Sequence, residues 1–224
     1  MMKSIRQPVP TGDAVARYER LSHEGSVWRD LSPTPSDGTD GTIGAAPAWP
    51  HFNGESYVSF GQPSKLDFSG ACTVVVWYNQ DTITPPVQGN ERILSRDNGA
   101  LRSFLIAQAD NTGVCQLFAW TPTIRNIVAT GTYATDTWHC VVMVNEGVGG
   151  DLVIYVDGQQ RGSIAGAGGA VAAPAVDTEA GRHQIPGNTT DYFQGYIDTV
   201  RFYDRALSAD EIQRDYFAGV PAHP

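Results

Sequence analysis

Apolar and polar positions alternate between dense runs and turn-rich stretches. Cys72 to Tyr78 is β-branched and aromatic, and so are Trp138 to Val144 and Leu152 to Val156. Val114 to Trp120 alternates, with Val114, Gln116, Phe118 and Trp120 on one side and Cys115, Leu117 and Ala119 on the other. Runs of this length bounded by Gly, Pro, Asn and Asp predict strands. Arg92 to Leu94, Phe104 to Ala107, Asn126 to Thr130 and Tyr192 to Tyr203 complete the set. Leu152 to Val156 runs into Asp157-Gly158, a two-residue hairpin signal. Strand follows strand without an intervening helix, which predicts antiparallel sheets.

One helix is predicted, at the C-terminal end. Ser208 with Glu211 three residues later forms a capping box, and Leu207 before the cap packs on Ile212 as a staple. Asp210 and Glu211 suit the positive end of the helix dipole, and Gly219 with Pro221 stops the chain. Ile212 and Tyr216, four apart, face the sheets. Leu31 to Pro50 is rich in Ser, Pro, Gly, Asp and Thr and reads as a long loop. Gly162 to Pro174 is built of small residues and suits either a flexible loop or a tight backbone packing surface.

Composition narrows the function more than the fold. In 224 residues there are 24 Gly and 14 Pro beside nine Tyr, eight Phe and five Trp, a balance typical of an all-β sandwich. The net charge of -9 argues against nucleic acid, whose phosphates need a concentrated basic face. No stretch of about 18 apolar residues exists to span a membrane. Met1 to Gly12 lacks the apolar core of a secretory signal and reads as an N-terminal arm, with residues 13–224 as one domain. Three Cys allow at most one bridge; Cys72 and Cys115 read as buried thiols, with a bridge between them as the alternative, and Cys140 as core.

The C-terminal third carries a recognisable pattern. Residues 193–212 read Phe-x-Gly-x-Ile-Asp-x-Val-Arg-x-Tyr-x-Arg-Ala-Leu-Ser-x-x-Glu-Ile, preceded by Trp138 to Val142 and Leu152 to Gly158. With Val15 to Tyr18, Asp40 to Ile43 and Phe52 to Val58, this resembles the laminin-G-like, concanavalin A-type jelly-roll family from about Ala14 to Gly219. The resemblance implies a two-sheet antiparallel jelly roll. It also implies a structural Ca²⁺ on Asp198, with Asp30 and Asp40 of the early loop as further ligands. The family's usual Asp-Ser-Ser-Gly-Asn is replaced here by Asp30-Leu31-Ser32-Pro33-Thr34. The alternative is that Asp198 accepts backbone hydrogen bonds or pairs with Arg201 or Arg205.

Catalytic patterns are missing. Glycanases of this family carry Glu-x-Asp-x-x-Glu on one strand; the nearest approach, Asp177-Thr178-Glu179 with His183, lacks a third acid. His139 and Cys140 are adjacent, so a strand sends them to opposite faces. Sugar binding calls for aromatic platforms beside polar side chains, and Trp120, Tyr133, His183, Asn188 and Tyr192 are the candidates. The expectation is a non-enzymatic structural protein of a large particle, a capsid-decoration or fibre-type protein on a phage virion surface, contacting capsid or fibre proteins or further copies of itself. The alternative is an extracellular carbohydrate-binding lectin or adhesion module with glycan partners. A glycoside hydrolase is the remote third.

Overall fold

The computed structural model describes residues 13–24, 27–33, 35, 37–41, 51–81, 91–99, 101–108, 115–120, 124–171, 174–182 and 192–223; at 19–24, 27–29, 38–41, 115–120 and 124–126 it describes the backbone alone. The arm assigned to residues 1–12 lies outside them. The strands are β1 (Ala16–Glu24), β2 (Val27–Asp30), β3 (Gly38–Gly41), β4 (His51–Asn53), β5 (Tyr57–Ser59), β6 (Cys72–Gln80), β7 (Glu91–Asp97), β8 (Arg102–Gln108), β9 (Cys115–Trp120), β10 (Ile124–Val128), β11 (Trp138–Asn145), β12 (Leu152–Val156), β13 (Gln159–Ile164), β14 (Glu179–Ala180) and β15 (Gln194–Tyr203), followed by the helix α1 (Ala209–Gly219). Strand pairing among the described residues is antiparallel throughout.

The strands pair in the order β10-β9-β8-β7-β14-β5-β3-β2-β1-β15-β6-β11-β12-β13, with β4 on β15. This path folds over into two facing antiparallel layers with an apolar core between them. Val74, Val76 and Tyr78 of β6, Val141 and Met143 of β11 and Ile154 of β12 meet Ile93 and Leu94 of β7 and Phe104 and Ile106 of β8 there. The alternate residues Val75, Trp77, Cys140, Val142 and Tyr155 point to the outer face, where Leu207 and Ile212 of the helix segment cover them. Burial on both faces explains why these strands read as continuous apolar runs rather than alternating ones.

The helix begins as its sequence dictates. The Ser208 hydroxyl accepts from the Glu211 amide, and the Glu211 carboxylate accepts from the Ser208 amide at 2.8 Å. Arg205 forks onto the same carboxylate, and this hydrogen bonding, reinforced by Ser208, draws its pKa down to about 2. Asp157 and Gly158 take φ of 53° and 73°, the left-handed pair of a type I′ turn joining β12 to β13. Asp157 tolerates it because its carboxylate accepts from the Cys140 amide and meets His139 Nδ1, both at 2.9 Å.

Two loop readings change. The Leu31 to Pro50 stretch contains β3, whose pairing with β2 and β5 is long-range and invisible to composition. Gly162 to Ile164 is strand, and the glycines beyond it dock on this chain's own Asn145 side chain. Its Nδ2 donates to the Gly169 carbonyl at 2.7 Å, and its Oδ1 accepts from the Gly169 and Gly147 amides. This is the tight-packing alternative.

Candidate functional site

Register builds a row of side chains that no short stretch of sequence contains. His51 of β4 stands opposite Tyr196 of β15, Tyr196 opposite Asn79 of β6, and Asn79 opposite Trp138 of β11. Directly paired residues share a face. The parity of β6 fixes which one: Asn79 follows Val75 and Trp77, the residues that meet the helix segment outside the core. Among the described residues the helix covers that outer face as far as Trp77, and the row beyond it is half-buried.

The rings are close enough to act together. His51 and Tyr196 have centroids 4.7 Å apart, and Tyr196 and Trp138 6.5 Å apart at 45°. Beyond His51, its Nε2 lies 2.6 Å from Asp81 Oδ2, with about a third of each side chain exposed. The Asn79 Oδ1 is buried and accepts no hydrogen bond. Asp81, two residues on, is held by its amide donating to the Gln194 carbonyl at 3.2 Å.

The other end of the row abuts the C-terminal tail. His223 stacks on Trp77 at 4.0 Å and 8°, and sets itself nearly edge-on to Trp138 at 4.8 Å. Tyr216 stacks on Trp77 at 5.6 Å, as its helix position four after Ile212 predicts. Trp138 is therefore buttressed from the side by the imidazole. The chemistry available is a strip of aromatic faces interrupted by an amide and ended by a carboxylate.

The sequence candidates fall elsewhere. Trp120 pairs with Ile124 at the turn of the β9–β10 hairpin, and its side chain is outside the described residues, as are His183 and Asn188. Tyr133 is buried in the main core, its hydroxyl donating to the Thr130 carbonyl at 2.9 Å, so it presents no face to solvent. Tyr192 is half-buried and bonds to Arg182, which forks onto Glu179 at 2.6 and 2.8 Å. Asp177 accepts from Ser59 and Gln62. The acids of the Asp177-Thr178-Glu179 stretch are thus committed to structure. Sequence reasoning missed His51, Asn79, Asp81, Trp138 and Tyr196; the one local signal was the polar Asn79 at an outward position closing an apolar run.

Asp198 sits at a β-bulge, where the register passes from Ile197 opposite Tyr78 to Thr199 opposite Trp77. Its Oδ2 accepts from Thr199 at 3.0 Å and meets His223 Nε2 at 2.7 Å, a partner other than Arg201 or Arg205. Those arginines serve Asp215 and Glu211. Asp30 is buried, pairs with Lys65 and accepts from the Arg17 and Ser32 amides. Asp40 lies in β3, its side chain outside the described residues. Ca²⁺ needs six to eight oxygens, and carboxylates already answered by Lys65 and His223 do not fit it. Among the described residues no three His, Cys, Asp or Glu side chains gather around a metal position.

His139 and Cys140 do face opposite ways: His139 packs against Tyr78 and Tyr133, Cys140 lies beneath the helix. Cys72 and Cys140 are free and buried. Burial pushes the Cys72 thiol up to about 12 and the Cys140 thiol well above its ordinary value, so both are unreactive at neutral pH.

Known proteins share this architecture. Trypanosoma rangeli sialidase, in complex with the inhibitor DANA, superposes with a TM-score of 0.73 at 18% identity over 100% of this chain and 36% of that one. The binding domain of Paraclostridial Mosquitocidal Protein 1 gives 0.72 at 14% identity, over 93% of this chain and 52% of that one. The botulinum neurotoxin serotype D/C binding domain gives 0.68 at 11%, with the same coverages. The chain spans about a third of the sialidase and about half of each toxin domain. No curated protein matches the chain. These likenesses run against the reading of a phage virion protein: the neighbours named are a sialidase and toxin binding domains, not capsid-decoration or fibre proteins. No helix among the described residues is long and apolar enough to cross a membrane. The family model of the concanavalin A-like lectin/glucanases superfamily matches residues 52–213, well over half of the chain and in agreement with the two-layer fold; the protein belongs to that superfamily.

Proposed function

We propose that this chain is an extracellular carbohydrate-binding module that holds a glycan on its outer sheet face without cleaving it. The row His51–Tyr196–Asn79–Trp138 carries the reading. Aromatic rings supply apolar contact area at little entropic cost and suit the C–H face of a sugar ring, while Asn79 and Asp81 beside them suit its hydroxyls. A pocket with a few placed polar groups is not required; a flat strip serves a chain.

Binding without turnover is favoured by the state of the acids. Retaining hydrolysis uses two carboxyls about 5 Å apart, and inverting hydrolysis two at somewhat greater range. Asp81 is tied to His51, Glu179 to Arg182 and Asp177 to Ser59 and Gln62. The likeness to a sialidase and to toxin binding domains is one of fold, and fold hosts many functions.

A glycan array followed by calorimetric titration tests this. Tyr196→Ala and Trp138→Ala are expected to weaken binding at least tenfold, about 1.4 kcal/mol, with Tyr196→Ala keeping the wild-type melting temperature. Glycan binding that survives both substitutions, or a blank array, overturns the proposal.

A further inference from the structure

The charge and hydrogen-bond inventory of this face names the class of glycan, and the inference rests on the carbohydrate reading above. We infer that the site takes an uncharged oligosaccharide and rejects sugars bearing a carboxylate, such as sialic acid. A sugar carboxylate is recognised by charge-assisted donors, most effectively the planar fork of Arg. The row of His51, Tyr196, Asn79, Trp138 and Asp81 contains neither Arg nor Lys.

Among the described residues, the imidazoles of His51 and His223 by the row are already engaged with carboxylates. His51 Nε2 is 2.6 Å from Asp81, and His223 has Nε2 on Asp198 at 2.7 Å and Nδ1 on the Gly219 carbonyl at 2.9 Å. On the neighbouring part of the same outer face, Arg201 is held by both oxygens of Asp215 at 2.8 and 3.0 Å, and Arg205 by both oxygens of Glu211.

What the face does offer is acceptors. Asp81 presents a carboxylate about a third exposed, at the end of the row. Hydroxyls bring donors to such groups, whereas a ligand carboxylate brings more acceptors and a like charge. The net charge of -9 repels an anion at longer range as well. Length is set by the strands: four neighbours span three gaps of about 4.8 Å, about 14 Å in all. That strip exceeds one sugar ring and favours a chain lying across the strands.

Matched pairs of glycans, each neutral oligosaccharide beside its sialylated form, decide the matter on the full chain. The neutral member is expected to bind at least tenfold tighter, and Asp81→Asn to narrow that gap by raising affinity for the sialylated member. Equal or tighter binding of the sialylated members overturns this inference and leaves the glycan reading standing. A gap unmoved by Asp81→Asn overturns the role given to that carboxylate. Failure of every pair to bind, with a folded protein by circular dichroism, falls on the glycan reading itself.

Discussion

His223 Nε2 lies 2.7 Å from Asp198 Oδ2, both side chains buried, joining the tail beyond the helix to the bulge of β15. Removing one member of a buried pair strands the other, which costs about 3 kcal/mol. Asp198→Ala is therefore expected to lower the melting temperature by roughly 10 °C. Asp198→Asn, which keeps an acceptor, should lose less than half of that. Thermal melts followed by circular dichroism check it; an Asp198→Ala protein that melts with the wild type would show that the pair carries no stability.

The same pairing bears on calcium. A cation bound only by the native state at a concentration 100-fold above its Kd adds about 2.7 kcal/mol. Because Asp30 and Asp198 are answered by Lys65 and His223, millimolar calcium and a chelator should give melting temperatures within about 1 °C of each other. A clear calcium-dependent rise would require these pairs to open or Asp40 to recruit other oxygens.

How much of this was legible follows from how local each signal is. Cys72–Tyr78, Trp138–Val144 and Leu152–Val156 announced themselves because both faces of those strands are buried. Ser208 and Glu211 announced the helix start because a capping box closes within one turn. Strands β1 to β5 were legible only in part, since they are rich in polar residues and owe their pairing to distant partners. The candidate row was illegible for a stronger reason. His51, Asn79, Trp138 and Tyr196 meet only through the registers of four strands, and a one-residue slip would scatter them. Tyr133 shows the converse, an aromatic well placed for a platform by sequence and buried in fact. For Asp198, a bulge re-aimed the side chain toward a tail residue that no motif includes.

Gly168 tests the packing of the small-residue segment. A Cβ there would come within 2.4 Å of the Gly147 carbonyl and 2.9 Å of the Gly150 carbonyl, backbone atoms that cannot swing away. Gly168→Ala is expected to cost about 1–3 kcal/mol by overpacking. At Gly70 a Cβ meets nothing within 4 Å and φ is not left-handed, so Gly70→Ala should be neutral or stabilise by up to about 1 kcal/mol. Denaturant titrations of the two variants that gave the same midpoint would refute the contrast.

Glu91 makes folding stability depend on pH. It is buried at the start of β7, where desolvation raises its pKa from 4.5 to about 7, in spite of hydrogen bonds from the Gln194 amide and Gln80. The folded protein therefore binds this proton more tightly than the unfolded chain does. Its stabilising contribution is full below pH 4.5, declines as pH rises through 7, and is absent above that. The loss across this window is at most about 3 kcal/mol, less where solvent screens the carboxylate. Glu91→Gln resembles the protonated side chain in shape and keeps an acceptor for Gln80, so the variant should be more stable than wild type at pH 8 and close to it at pH 4.5. The check is the difference between the two proteins in denaturant stability at each pH, which removes the titration of every other group. A difference that stays constant with pH would mean that Glu91 ionises in the folded state as freely as in water.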